Sequence, residues 1–263
     1  MNSLAAKRRH PGAVLVVLLI GLCATGVIYS IVGSATAAGA APKAASQTEV
    51  RQGRQLFIEG CASCHGLGAQ GTTIAPTLVG VGAAAVDFQV STGRMPLAAP
   101  GGQAVRKAPQ YTEEQTMSLA AYIASLGPGP EIPSAADLDF ANADLAQGGD
   151  LFRTNCTQCH NFAGVGGALS NGGFAPSLME STPKNVWEAM VTGPQSMPVF
   201  SNTTITPDEK RKIIKYVTYL QNSPNPGGVD LGRLGPVTEG LALFTVGFGV
   251  LIAAAIWIGA RAK

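Results

Sequence analysis

One pattern of residues occurs twice in this chain at the same spacing, and it restricts the possible folds more than any other feature. Arg51-Gln-Gly-Arg-Gln-Leu-Phe57 runs into Cys61-Ala-Ser-Cys64-His65, and Ala146-Gln-Gly-Gly-Asp-Leu-Phe152 runs into Cys156-Thr-Gln-Cys159-His160. The echo continues in order. Ala75-Pro76-Thr77-Leu78 matches Ala175-Pro176-Ser177-Leu178, Thr92-Gly93 matches Thr192-Gly193, and Met95-Pro96 matches Met197-Pro198. Repetition of this kind means two copies of one module. Each copy closes on a helix start. Thr112 before Glu113 and Glu114, and Thr206 before Pro207, Asp208 and Glu209, supply a cap, acidic residues at the positive end of the helix dipole and, once, Pro at the first position. Tyr122 and Leu126 end one closing helix, and Tyr216 and Leu220 end the other.

The modules are read over 48–126 and 146–222. Between them, over 127–145, Gly127-Pro-Gly-Pro130 and the acids Glu131, Asp137, Asp139 and Asp144 break helices and form a linker, expected to be solvated. Linkers are also expected over 33–47 and over 223–239, where Pro224 and Pro226 lie. Residues 13–32 are twenty without a charge, enough at ~1.5 Å per residue to cross a ~30 Å hydrocarbon layer. A second uncharged run covers 240–260. Transmembrane helices are therefore expected at 13–32 and 240–260, leaving tips at 1–12 and 261–263. Lys7, Arg8 and Arg9 precede the first run, and Arg261 and Lys263 follow the second. Positive tips stay in the cytoplasm, so both termini are placed there and both modules on the extracytoplasmic face of the cell (plasma) membrane, in an oxidising compartment. The first run also suits a cleaved secretory signal ending at Ala35-Thr36-Ala37, but it exceeds the ~7–15 residues of an ordinary signal core, which favours a retained anchor. Leu22 stands before Cys23, where lipidation signals have a small residue, so Cys23 reads as a buried membrane cysteine.

Composition closes off other classes. Apolar residues make up 46% of the 263, which excludes a disordered chain, and charged residues only 13% with a net charge of +2, which argues against a nucleic-acid partner. No Ser-His-Asp set, Walker loop or dinucleotide fingerprint is visible, and Gly164-Val-Gly166-Gly167 is a lone glycine run. Lys210, Arg211, Lys212 and Lys215 on the second closing helix read as a solvated face. Modules of about eighty residues have marginal side-chain cores, and an internal prosthetic group would help them.

Cys-x-x-Cys-His has the chemistry for that group. A c-type haem needs two thiols one helical turn apart for its two vinyl positions and an adjacent His for the iron. Zinc would require the distant pairs to join, and thioredoxin-like exchange would want a βαβ pattern where the flanks are Gly-rich. Two covalent haem c groups are thus expected on Cys61, Cys64, Cys156 and Cys159, with His65 and His160 as iron ligands. The third histidine, His10, lies at the cytoplasmic tip, so methionine is the natural second donor. Candidates are Met95, Met117, Met179, Met190 and Met197. Met117 belongs to the closing helix and is expected in the core. Met190 lies as far after His160 as Met95 does after His65, but Met95 and Met197 both follow Thr-Gly and both precede Pro, and they are the expected ligands. Iron bound by His and Met has no open position, which favours electron transfer over peroxide chemistry.

On these motifs both modules resemble class I cytochromes c. The order of anchor, two haem modules and anchor is similar to the dihaem cytochrome c subunits of actinobacterial menaquinol:cytochrome c reductases, the cytochrome bcc complexes. The resemblance implies a mainly α fold with two tandem class I cytochrome c domains between an N-terminal and a C-terminal transmembrane helix. It implies a cytochrome b subunit, a Rieske iron-sulfur subunit and a haem-copper oxidase as partners. It also implies that the carbonyls of Pro76 and Pro176 orient the haem-ligating histidines, and that Gly53 and Phe57 meet Tyr122 while Gly148 and Phe152 meet Tyr216. The module next to the C-terminal anchor is expected to take the electron first and the other to pass it on. A membrane-tethered dihaem shuttle for a periplasmic dehydrogenase or oxidase is the alternative, and a dihaem peroxidase is a third class.

Overall fold

The computed structural model describes residues 11–36, 45–170, 172–223, 231–233 and 236–261. Lys7, Arg8, Arg9, His10, Ala37, Pro224, Pro226 and Lys263 lie outside the described residues. The chain forms two units, one ending at Ser46 and the other beginning at Gln47. The first unit holds α1 (Pro11–Thr36), whose apolar part Gly12–Val27 exposes Val14, Leu18 and Leu22.

In the second unit each module is a set of short helices. The first has α2 (Gln47–Gly60), α3 (Ala62–His65), α4 (Gly82–Ser91) and α5 (Glu113–Ala124). The second has α6 (Leu145–Asn155), α7 (Thr157–His160), α8 (Pro183–Thr192) and α9 (Pro207–Asn222), with a hairpin of β1 (Gly167–Ala168) and β2 (Phe174–Ala175) after α7. The caps read from sequence form. Thr112 accepts from the Gln115 amide while Gln115 Oε1 accepts from the Thr112 amide, and Thr206 and Glu209 make the same reciprocal pair. Asp144 and Thr182 cap α6 and α8, so every long helix of the second module starts on a side-chain acceptor.

Two glycines let the module cores close. A Cβ on Gly53 would stand 1.8 Å from the Ser118 carbonyl oxygen of α5, and one on Gly148 would stand 2.1 Å from the Lys212 oxygen of α9. At those distances only a residue without a side chain fits. One turn later Phe57 meets Tyr122 with ring centroids 5.3 Å apart, and Phe152 meets Tyr216 at 5.4 Å. Phe57 and Phe152 are the most buried aromatic side chains of their modules, each worth roughly 1.5–3 kcal/mol when removed from water. Leu119 and Ile123 complete the first core, and Trp187, Met190, Ile213 and Ile214 the second.

Three sequence expectations change. Met117 is 42% exposed and is not part of the core, because α5 turns Leu119, Tyr122 and Ile123 inward instead. Lys210 is fully buried. Its ammonium donates to Asn202 and to the Ile205 carbonyl, while Arg211 and Lys212 pair with Asp208 and Lys215 donates to the Ala141 carbonyl, so the basic cluster is spent on internal contacts. The linker is packed at its start: the Ala84 amide donates to Pro130 at 3.1 Å, and Gly129 lies against Gly82 too closely for a Cβ on either.

The chain's described portion ends in α10 (Pro236–Arg261). Its stretch Thr238–Arg261, 24 residues of mean hydropathy 2.4 with none of it buried, is the one helix among the described residues long and apolar enough to cross a membrane. The N-terminal helix is apolar but its stretch is shorter. Glu239 in the first turn and Arg261 in the last suit the helix dipole, and the Arg261 guanidinium lies 4.7 Å over the Trp257 ring.

Gly148→Ala is expected to force α6 away from α9 and to cost about 1–3 kcal/mol as an overpacked site. Urea denaturation followed by helical circular dichroism measures this, and an unchanged midpoint would contradict the close approach.

Candidate functional site

The two Cys-x-x-Cys-His segments fold alike to the level of single hydrogen bonds. In the first, the Cys64 amide donates to the Cys61 carbonyl at 3.2 Å and the His65 amide to the same oxygen at 2.9 Å. In the second, Cys159 and His160 donate to the Cys156 carbonyl at 3.2 and 2.9 Å. This single helical turn puts both thiols of a pair on one side of α3 or α7, the arrangement that two neighbouring vinyl groups require. The chain then turns back under the His. Gly71 donates to the His65 carbonyl at 2.8 Å and Gly166 to that of His160 at 2.9 Å, each with φ above +80°. A Cβ at Gly166 would lie 2.3 Å from the Ala175 oxygen, so glycine is required there. Ala69 adopts the left-handed conformation that Gly164 has in the other copy, so the repeat keeps its backbone path even where residues differ.

Each histidine is anchored by its ring. His65 Nδ1 lies 2.8 Å from the Pro76 carbonyl oxygen and His160 Nδ1 lies 2.9 Å from that of Pro176. A carbonyl only accepts, so Nδ1 carries the proton and Nε2 keeps its lone pair for a metal. Both residues are buried, and burial holds His160 below the usual imidazole range against the opposing pull of its Pro176 bond. The neutral, ligating form is thereby favoured. Burial, and then the neighbouring Cys64, pushes the Cys61 thiol up to about 11, and burial with Cys159 pushes Cys156 up to about 12. Such thiols are the reverse of the acidic, exposed nucleophiles of disulfide exchange.

The residues present fit a haem. Large apolar side chains follow each motif without protein cover, Leu67, Ile74 and Val79 in the first module and Phe162, Phe174 and Val199 in the second. Arg94, beside Met95, is buried with its guanidinium 4.7 Å over the Phe88 ring, and its Nη1 has no hydrogen-bond partner. An always-charged group in that state fits an anionic partner such as a haem propionate. Among the described residues no three His, Cys, Asp or Glu gather into a metal cluster.

The methionines divide by packing. Met95 lies half-buried against the first core, with its amide donating to Gln89 at 2.9 Å and its loop held by the Lys107 ammonium on the Pro96 carbonyl at 2.6 Å. Met197 lies half-buried against the second core, on a turn where its amide donates to Pro194 at 3.1 Å. Met190 is inside that core beside Trp187.

Sequence reading missed what joins the modules. Helix α4 packs on α8. Around that contact the Gln103 amide group takes the amide of Phe174 at 3.0 Å and donates to its carbonyl, while Gln195 does the same to Ala104 at 3.1 and 3.0 Å. Gln195 lies in the turn that carries Met197, and Ala104 in the loop after Met95, so the two methionine segments grip each other. The hairpin that Gln103 holds is where the second copy is longer than the first between His and Pro. Arg106 adds a 3.0 Å bond to the Glu180 carbonyl. Between α4 and α8 lie Asp87, Lys184 and Glu188, with Lys184 in ion pair with Asp87. The signal that could have found them is a lone acid inside an apolar helix, Asp87 in Gly82–Ser91 and Glu188 in Pro183–Thr192.

Comparison with known proteins bears on both modules. Residues 50–127 match the family described as cytochrome c, and residues 143–217 match cytochrome C oxidase, cbb3-type, subunit III. The chain is 43% identical over 97% of its length to a cytochrome bc1 complex cytochrome c subunit of Corynebacterium diphtheriae, covering 96% of that protein. It is 42% identical to the one from Corynebacterium efficiens, covering 97% and 91% of the two chains, and 43% identical to that of Mycobacterium tuberculosis, covering 97% and 92%. Two cytochrome c domains carry two covalent haem c groups, and the Cys61/Cys64 and Cys156/Cys159 pairs fit the attachment motif.

If Met95 and Met197 complete the two sites, Met95→Ala and Met197→Ala each remove about half of the sulfur-to-iron absorption of the oxidised protein. Retention of the full band in Met197→Ala, with loss in Met190→Ala, would move the second site's ligand to Met190.

Proposed function

Since the chain belongs to the family of cytochrome bc1 complex cytochrome c subunits, we propose that it is the membrane-anchored dihaem subunit that carries electrons from a Rieske iron-sulfur protein to a haem-copper oxidase. In this reading residues 48–126 and 146–222 are the two haem domains. Helices at 13–32 and 240–260 hold them on the outer face of the plasma membrane, with both termini cytoplasmic. Cys61, Cys64, His65 and Met95 hold one haem, and Cys156, Cys159, His160 and Met197 hold the other. Bound there, each haem supplies a one-electron iron centre whose His/Met ligation raises its reduction potential.

The observation that carries the reading is the doubled site within one joined pair of modules. Two histidines are fixed by the same ring bond to a proline carbonyl, and the loops bearing the two methionines clasp each other through Gln195 and Ala104. A single site would suit a mobile carrier. Two sites held together suit a fixed path between a donor and an acceptor.

The second module, which adjoins α10, is placed at the receiving end, and one charge supports that order. Arg94 places a buried cation next to Met95, whereas Ser196 precedes Met197. A buried cation near that iron would favour its reduced, less positive state, which supports the first module as the higher-potential end and the second as the receiver. His160 and Met197 then serve the Rieske side, and His65 and Met95 the oxidase side.

Purification of the full chain in mild detergent tests the partners. A multi-span cytochrome b, a Rieske protein and a haem-copper oxidase should arrive with it, and recovery of the chain alone would support the tethered shuttle instead. Cys156→Ala with Cys159→Ala should abolish quinol-driven reduction of the first haem. Normal filling of that haem in the double variant would reverse the order.

A further inference from the structure

The contact between α4 and α8 buries more acid than it has donors for. Asp87 is 2% exposed and Glu188 is not exposed at all. Lys184, on the same helix as Glu188, forms an ion pair with Asp87 across the contact. Neither oxygen of Glu188 has a hydrogen-bond partner, and Asp87 Oδ2 has none beyond the ion pair. Two ionised carboxylates can only accept, so the ionised pair leaves three buried acceptors against one ammonium. A proton on Glu188 turns one of those acceptors into a donor aimed at its neighbour.

We propose that Glu188 keeps a proton where the two haem modules meet and through it donates a hydrogen bond to the Asp87 carboxylate, so that Glu188, Asp87 and Lys184 lock the modules at one separation. Glu188 and Asp87 are positioning residues, which act by fixing how far apart the two sites stand. With the proton in place the contact holds one carboxylate, one ammonium and one neutral acid, and carries no net charge. Without it, a second buried anion faces Asp87 in a region of low dielectric, and the contact is strained apart.

The charged groups around this contact support the assignment. On α4, Asp87 interacts with Glu188 directly, and Arg94, three residues beyond the end of α4, lies over the Phe88 ring. Glu113, at the start of α5, acts on Lys184. From α9, Lys210 comes within 5.9 Å of the Trp187 ring, but its ammonium is committed to Asn202 and Ile205. Burial alone would lower Lys184, yet Asp87, helped by Glu113, holds it above its usual range. Burial, and then the Asp87 carboxyl, pushes Glu188 up to about 10 against the pull of Lys184. The sign of the pH dependence follows. The folded carboxyl is raised above its unfolded value of 4.5, so its contribution is complete below that pH and is lost as pH rises towards 10.

The inference uses the two haems of the proposed function only as probes. In the full-length protein in detergent, infrared spectroscopy should find the carbonyl stretch of a protonated carboxyl that shifts in heavy water and is absent from Glu188→Gln. Pulsed dipolar EPR between the two oxidised haems should give a narrow separation at acidic pH that broadens progressively as pH rises from 4.5 towards about 10. Glu188→Gln, which keeps a donor for Asp87 but cannot ionise, should stay narrow throughout, and Glu188→Ala should be broad at every pH. A carboxyl band that survives Glu188→Gln, or a haem separation with the same pH profile in wild type and Glu188→Gln, overturns the proposal. Failure of the donor and acceptor assignments would leave both readouts unchanged, so the two ideas fail separately.

Discussion

The close approach of α2 to α5, and of α6 to α9, is the constraint from which each site is built. Gly53 and Gly148 bring a helix backbone against a carbonyl of its partner, at a distance no side chain tolerates. Phe57 and Phe152, one turn further on, pack their rings against Tyr122 and Tyr216 of the partner helices. Because the Cys-x-x-Cys-His turn begins where α2 and α6 end, the same contact sets the direction in which the thiols and imidazole leave the helix. A methyl group on either glycine would displace the whole motif, not only the packing beneath it. The haem-binding turn is therefore only as well placed as the helix pair that presents it.

From that base the chain makes a ring bond that decides the chemistry of the histidine. Pro76 and Pro176 lie 11 and 16 residues after their histidines, and still offer carbonyls at 2.8 and 2.9 Å. Proline cannot donate a backbone hydrogen, so its carbonyl is an acceptor whose conformation is narrowed by the fixed φ of the ring. The longer interval in the second copy does not disturb this geometry. The extra residues leave as a two-stranded hairpin, and its Phe174 becomes the edge that Gln103 of the first module grips. An insertion that is neutral for the site thus supplies part of the contact between the sites.

That contact has two kinds of chemistry. The glutamine clasps are exposed or half-buried and pair neutral amides with backbone, which fixes register between loops at small electrostatic cost. The Asp87, Lys184 and Glu188 group sets two buried acids against one half-buried ammonium, and such groups are more demanding of their surroundings than they are stabilising. Their combination suits two modules whose separation matters more than the strength of their attachment.

The closing helix of each module, the haem attachment residues and the caps at Thr112 and Thr206 were legible in the residues alone, because each depends on neighbours within one or two turns. Cys-x-x-Cys-His needs only a helical turn to be chemically complete, and a Thr with an acid or amide three residues on needs only its own backbone. Met117 and Lys210 were misjudged for the opposite reason. Their helices present more than one apolar or polar face, and which face is covered depends on the partner helix rather than on spacing. The clasps of Gln103 and Gln195 and the acid pair on α4 and α8 could not be read at all, since their partners lie 71 to 91 residues away or in the other module. The sequence by itself determined what each module binds, for attachment is local chemistry written twice. Only the tertiary structure decided how the two modules are joined, because the groups that join them acquire meaning when burial removes the water that would otherwise satisfy them.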